Sequence, residues 1–298
     1  MHFLSIEELS GPHLLALLES ATKLKAERSN HEEFPLADQT WGMIFTKAST
    51  RTRVSFEVGI RELGGNVIFL SSNDIQLGRG EPIKDTARVL GRMIHGCIIR
   101  TFDQQDVVDF AEYSGIPTIN ALTDEEHPCQ ILADLLTIQE QFGTLEGLKI
   151  AYLGDSDNNM ATSWIWAAKH LGLEFHLAGP DGWLPREELM QRVDCDHIHI
   201  GSDAASAVKN ADVIMTDVWL SMGQEAEGAE KERHFAPYQV NEALLEQANS
   251  GHIVLHCLPA YRDKEISEST LEHHAETIFR QAENRLHAQK AILCELAD

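Results

Sequence analysis

Short apolar runs alternate with longer stretches of helical period along most of this chain. Ser10 and Pro12 open a segment in which Leu14, Leu17, Leu18 and Ala21 recur at helical spacing. Just before it, Ser5 and Glu8 have the spacing of a capping box, which predicts a short helix there. Strands are expected at 42–45, 66–70, 97–100 and 117–120, with helices at 53–63, 83–94 and 106–114 between them. A long helical stretch, 128–141, ends at Gly143, and the alternation then restarts. The later strands are expected at 149–153, 174–178, 197–200, 212–215 and 253–256, and the helices at 159–171, 187–193 and 204–209. The strands are apolar on both faces, which predicts an α/β chain of parallel sheets covered by helices. The restart predicts two domains, 1–143 and 144–282, hinged near 144–147, with a closing helix at 283–296. Residues 224–233, charged and rich in small side chains, read as a mobile loop.

Composition narrows the function. A formal charge of -23 repels phosphate backbones and anionic lipid, so neither nucleic acid nor a membrane is expected as a partner. The same acidity makes arginines informative, and Arg51, Arg53 and Arg100 beside small polar residues suggest a held anion. Cys97, Cys129, Cys195, Cys257 and Cys294 are odd in number and widely spaced, which fits neither a disulfide framework nor a four-thiolate zinc site. The start of the chain has no basic stretch, and no apolar run approaches membrane-spanning length, so a cytoplasmic location is expected.

Five segments gather polar side chains where strands end. Ser49, Thr50, Arg51 and Thr52 follow the first strand and open a helix, whose free N–H groups and dipole suit a phosphate. A capping Ser49 with solvated arginines fits the same residues equally well. His127-Pro128-Cys129-Gln130 begins the long helix: His127 can donate to a carbonyl and Gln130 can accept from an amide, although a surface histidine before an N1 proline also fits. Asp155 to Met160 follows another strand, but only Gly154 of a dinucleotide fingerprint is present, which disfavours NAD. Asp217 to Gly223 and His256 to Ala260 each follow later strands, at the position where this fold class binds ligands. Cys195, Asp196, His197 and His199 meet no zinc spacing rule and read as a solvated edge. His273 and His274 read as exposed, and Trp164 and Trp166 as packing residues.

Taken in order, these segments resemble the aspartate and ornithine carbamoyltransferase family over nearly the whole chain. Ser-Thr-Arg-Thr and His-Pro-x-Gln are shared across that family, and Asp-x-Trp-x-Ser-Met-Gly and His-Cys-Leu-Pro are its ornithine-type signatures. The resemblance implies that Ser49, Thr50, Arg51 and Thr52 hold the phosphate of carbamoyl phosphate. Gln76 would reach the phosphate of a neighbouring subunit's site, as such loops do in the family's trimers. Arg100, His127 and Gln130 would grip the carbamoyl group, and Arg285 would add a late contact. Asn159, Asp217, Ser221 and Met222 would bind the backbone of ornithine, with Cys257 and Leu258 beside the reacting amine and the carbamoyl phosphate. Gly80 stands where some relatives have a lysine, leaving Arg79 as the substitute.

The resemblance also implies two domains, the first binding carbamoyl phosphate with residues 283–298 returned to it, the second binding ornithine. Catalysis would rest on Arg100, His127 and Cys257, with no cofactor and no metal, because carbamoyl phosphate is already activated. A homotrimer or a multiple of trimers is the implied assembly. Putrescine, an acylated ornithine and aspartate are the competing acceptors, and a catalytically silent sensor on the same fold is the reading from a different class.

Overall fold

The computed structural model describes residues 1–28, 30–71, 80–219 and 228–297. The chain forms two compact units, Met1–Leu136 with Glu283–Asp298, and Thr137–Ala282. Both dividing points fall inside long helices.

The first unit runs α1 (Gly11–Ala26), β1 (Thr40–Phe45), α2 (Thr50–Glu62), β2 (Asn66–Ser71), α3 (Ile83–Leu90), β3 (Gly96–Arg100), α4 (Gln104–Ser114), β4 (Thr118–Leu122) and the start of α5 (Pro128–Phe142). Its four strands are parallel, in the order β2-β1-β3-β4. Every residue of β3, and all of β1 but Thr40, is buried. That is why both strands read as continuous apolar runs rather than alternating ones. Ser5 and Glu8 do not start a helix. Ser5 Oγ accepts from the Glu8 N–H at 3.3 Å in a turn, because Phe3, Leu4 and Ile6 are drawn into the core beside β4. Burial of those three side chains outweighs a capping preference of about 1 kcal/mol.

The second unit continues with β5 (Lys149–Leu153), α6 (Asn159–Leu171), β6 (Glu174–Ala178), α7 (Glu187–Val193), β7 (Ile198–Gly201), α8 (Ala204–Val208), β8 (Val213–Thr216), α9 (Gly228–Phe235), α10 (Glu242–Leu245), β9 (Ile253–His256), α11 (Glu268–His273) and α12 (Ala275–Ala297). The five strands are parallel, in the order β7-β6-β5-β8-β9. Trp164 is fully buried and stacks on Phe175 with ring centroids 5.8 Å apart, so it packs the core as expected. Where residues 228–233 were read as loop, the structure has the first turns of α9; residues 224–227 lie outside the described residues. Phe235, at the end of α9, is buried against Trp183 and Trp219, and its packing stabilises a helix whose polar composition hid it. α12 also begins well before residue 283, and its later part packs on the first unit.

In both sheets the strand order reverses beside the first strand, between β1 and β3 and between β5 and β8. Loops leaving the carboxyl ends of strands diverge at such a point and open a crevice. Beside the second, the loop leaving β5 is held against the one leaving β6 by a close backbone approach. The Gly154 N–H donates to the Ala178 carbonyl at 2.9 Å, Gly154 has φ +113°, and a Cβ on Gly179 would stand 2.3 Å from the Gly154 oxygen. Gly179→Ala is therefore expected to lower stability by roughly 1–3 kcal/mol in urea unfolding. A loss below about 0.5 kcal/mol would mean that the two loops separate freely.

Candidate functional site

In the first unit, Ser49 is the N-cap of α2, its Oγ accepting from the Thr52 N–H at 3.2 Å. The first turn of α2 carries no acidic residue, so the positive end of the helix is left for an external anion. Thr50 and Arg51 belong to that turn. Arg51 Nε is buried with no hydrogen-bond partner among the described residues. Thr52 is fully buried, and its Oγ1 accepts a hydrogen bond from Arg285 Nη2 of α12. Arg53, counted with the anion holders on composition, instead lies over the Phe69 ring at 3.7 Å with Glu57 nearby.

Arg100 ends β3 at a register shift that skips one residue on β4, pairing Ile99 with Asn120 but Arg100 with Leu122. A bulge of this kind re-aims a side chain at a strand terminus. Thr46, after β1, fixes the Arg100 carbonyl through its N–H at 2.9 Å and its hydroxyl at 3.3 Å. His127 and Gln130 stand at the start of α5 and are both buried. Gln130 donates from Nε2 to Asp134 at 2.8 Å, which leaves its buried Oε1 as an acceptor with no partner among the described residues. Burial, and then the charges of Arg285 and Arg100, hold the His127 imidazole well below its ordinary pKa. At neutral pH it is an uncharged ring that donates one N–H. The first unit thus brings Ser49, Thr50, Arg51, Thr52, Arg100, His127, Gln130 and Arg285 onto neighbouring elements with cationic and donor groups dominant.

In the second unit, Asp217 follows β8 and Cys257 follows β9, and Cys257 Sγ donates to Asp217 Oδ1 at 3.0 Å. Asp217 Oδ1 also accepts from the Val218 N–H at 2.7 Å. Asn159 is the first residue of α6; its neighbour Asn158 caps the helix, accepting from the Ala161 N–H at 2.8 Å and donating to the Tyr152 hydroxyl at 3.1 Å. Burial, and then the charge of Asp217, push the Tyr152 phenol well above its ordinary pKa, so it stays protonated. Leu258 sits in the left-handed region at φ +57°, and its N–H donates to His256 Nδ1 at 2.9 Å. Gln76, Ser221, Met222 and the possible substitute Arg79 lie outside the described residues.

Two contributors escaped sequence reading. Glu265, fully buried, accepts from the Tyr261 N–H at 2.6 Å and bonds His256 Nε2 at 3.0 Å, so it clamps the segment that carries Cys257 and Leu258. Lys231 of α9 pairs with Asp155 at 2.7 Å, with both side chains largely buried. Asp217, His256 and Cys257 offer atoms within 4.8 Å of one another, as metal ligands do. Both nitrogens of His256 are already engaged by Glu265 and Leu258, so a cation there would have to break the clamp. No local motif announces Glu265, since only the fold brings it under β9.

Two family models match this chain. Residues 1–140 match the carbamoyl-P binding domain, and residues 146–296 the Asp/Orn binding domain, of aspartate/ornithine carbamoyltransferase. The chain is 64% identical to an ornithine carbamoyltransferase of Akkermansia muciniphila, over 100% of this chain and 98% of that one. It is similar in structure to the anabolic ornithine carbamoyltransferase of Campylobacter jejuni, with a TM-score of 0.92 and 43% identity over 99% of this chain and 98% of that one. The ornithine carbamoyltransferase of Pyrococcus furiosus superposes with a TM-score of 0.91 and 42% identity, covering 98% and 95% of the two chains.

The Glu265 clamp can be tested apart from activity. Glu265→Leu leaves the Tyr261 N–H and His256 without their acceptor, and is expected to cost about 2 kcal/mol in urea unfolding and to speed alkylation of Cys257 followed by mass spectrometry. Glu265→Gln keeps an acceptor oxygen and should recover most of both. Identical behaviour of the two variants would show that this oxygen does not hold the segment.

Proposed function

The chain belongs to the aspartate/ornithine carbamoyltransferase family, and from that premise we infer that it transfers the carbamoyl group of carbamoyl phosphate to the δ-amine of L-ornithine, giving L-citrulline and phosphate. The observation that carries the reading is the pairing of a neutral, buried His127 with the guanidiniums of Arg100 and Arg285, next to the acid-free start of α2. In a chain of net charge -23, that arrangement suits a small dianion bearing a carbonyl group.

Each residue has a chemical task in this reading. Ser49, Thr50, Arg51 and Thr52 take the phosphate through hydroxyls, helix N–H groups and a planar cation. Gln76 of a neighbouring copy adds to them. Arg100, His127 and Thr52 donate to the carbonyl oxygen as it becomes an oxyanion, and Arg285 steadies Thr52 through their hydrogen bond. Gln130 accepts from the carbamoyl NH2. Neutral δ-amine attacks the carbonyl carbon, the C–O bond to phosphate breaks, and the arginines stabilise the charge gathering on the leaving group.

Asn159, Asp217, Ser221 and Met222 hold the α-amino acid end of ornithine, the acid meeting its ammonium. The δ-ammonium must lose a proton before attack. Cys257, hydrogen-bonded to Asp217, is positioned to relay it, with Leu258 packing beside the amine. The second proton, released after attack, goes to the departing phosphate. The functional division runs at 1–143 with 283–298 for carbamoyl phosphate, and 144–282 for ornithine. Aspartate is the less favoured acceptor, because the His256-Cys257-Leu258-Pro259 segment offers no cation for a second carboxylate.

A homotrimer, or a multiple of trimers, fits the exposure of Val54, Ile68, Met93 and Phe102 on the first unit, apolar surface that contact between copies would remove from water. A cytoplasmic location fits five cysteines that form no disulfide among the described residues. No helix among the described residues is long and apolar enough to cross a membrane.

A colorimetric assay for ureido products should detect product with ornithine and none with putrescine, acetylornithine or aspartate. Product from putrescine alone would overturn the acceptor assignment. His127→Ala is expected to lower kcat by about 10²–10³, the cost of one oxyanion donor, with a smaller effect on the KM for ornithine. Because His127 is uncharged throughout the working range, kcat/KM for ornithine should rise with pH as the substrate's ammonium deprotonates, with no imidazole inflection on the acid side. Cys257→Ala should lower turnover and move that profile. An unchanged profile would remove Cys257 from the proton path.

A further inference from the structure

We propose that Glu174, His176 and His199 form a second binding site, outside the carbamoyl-transfer machinery, for a divalent transition cation of the Zn2+ type. The sequence pointed to Cys195, Asp196, His197 and His199 as neighbours along the chain. The fold separates that set. Cys195 lies within 3.0 Å of a His197 ring nitrogen, and His197 bonds the Ala168 carbonyl. His199 instead meets residues of β6, since the parallel ladder sets His199 directly opposite His176. Glu174, two residues before His176, shares its face of the strand.

The three side chains converge. The His176 and His199 rings are 4.4 Å apart between centroids, His176 Nε2 lies 2.8 Å from Glu174 Oε1, and one ligand atom from each residue lies within 4.8 Å of the others. Two donors on one tetrahedral Zn2+ stand roughly 3.3 Å apart, so side-chain rotation alone closes the set. The ladder already fixes the backbones. Two imidazoles and one carboxylate, with water in the fourth position, select Zn2+ and its neighbours over Mg2+ or Ca2+, which prefer all-oxygen shells.

Access and charge agree with this. Glu174 and His199 are exposed and His176 is partly so. The covering helix on this face, α8, has only five residues, too few to reach the start of β6. The facing charges are Glu174, which attracts a cation, and Lys149, whose ammonium is tied to the Lys209 carbonyl at 2.8 Å. Without metal, the His176 Nε2 proton bridges to Glu174. With metal on Nε2, that proton moves to Nδ1, and no net proton is released.

Calorimetric titration with Zn2+ tests the site in the full-length Cys257→Ala protein, where the thiol beside Asp217 is gone. One equivalent should bind, and both His199→Asn and His176→Gln should weaken it at least about tenfold. Co2+ should give the visible bands of a tetrahedral nitrogen and oxygen site with no thiolate charge-transfer band. Failure of the Cys257→Ala protein to bind Zn2+, equal affinity in the histidine variants, or a thiolate band would each overturn the proposal. Carbamoyl transfer by His199→Asn in the otherwise native chain should match the parent, which separates failure of this site from failure of the catalytic reading.

Discussion

The hydrogen bond from Arg285 to Thr52 joins the two ends of the chain at the point where charge matters most. Thr52 belongs to the first turn of α2 and Arg285 to α12, and both side chains are buried. A buried guanidinium is costly unless its N–H groups are answered. Here one is answered by the Thr52 hydroxyl, which carries no charge of its own. That placement sets a cation beside the first turn of α2, which carries no acidic residue.

The state of His127 follows from that choice. Its neighbours are cations, and burial already disfavours the charged ring. Both push in one direction, so the imidazole stays neutral and acts as a donor rather than as a third fixed charge. In the second unit the same logic runs with the opposite sign. Burial, and then the charges of Asp217 and, last, Asp155, keep the Tyr152 proton in place, while Asp155 is balanced by Lys231. One sheet therefore presents donors and cations at its switch point, and the other presents acids and a thiol.

Strands were legible because a parallel sheet buried on both faces leaves continuous apolar runs, and β1, β3, β5 and β8 are of that kind. The polar segments at the ends of β1, β4, β5, β8 and β9 were legible because strand ends are where polar side chains have no core task. What hid was stabilised by tertiary contact alone. α9 reads as polar, yet Phe235 buries itself against two tryptophans. Ser5 and Glu8 have a helix-start spacing, but the apolar residues around them gain more from the core than from a cap. Glu265 is one glutamate among 47 acidic residues, and nothing in its neighbours marks it as the acceptor beneath His256.

The polar interior of α12 belongs to the same problem as Arg285. His287, Gln289 and Lys290 are fully buried on a helix whose period would otherwise read as half solvated. Lys290 reaches Glu62 at the end of α2 at 2.8 Å, and Lys25 of α1 reaches Asn284 at 2.7 Å. A helix attached by apolar contacts alone could shift along its axis at little cost, since one leucine fills much the same space as the next. Polar pairs at fixed distances penalise such a shift by leaving buried groups unsatisfied. Arg285 has to meet Thr52 within hydrogen-bond reach, so the positional precision that these pairs impose on α12 fixes those two side chains at the start of α2 more directly than it adds to overall stability.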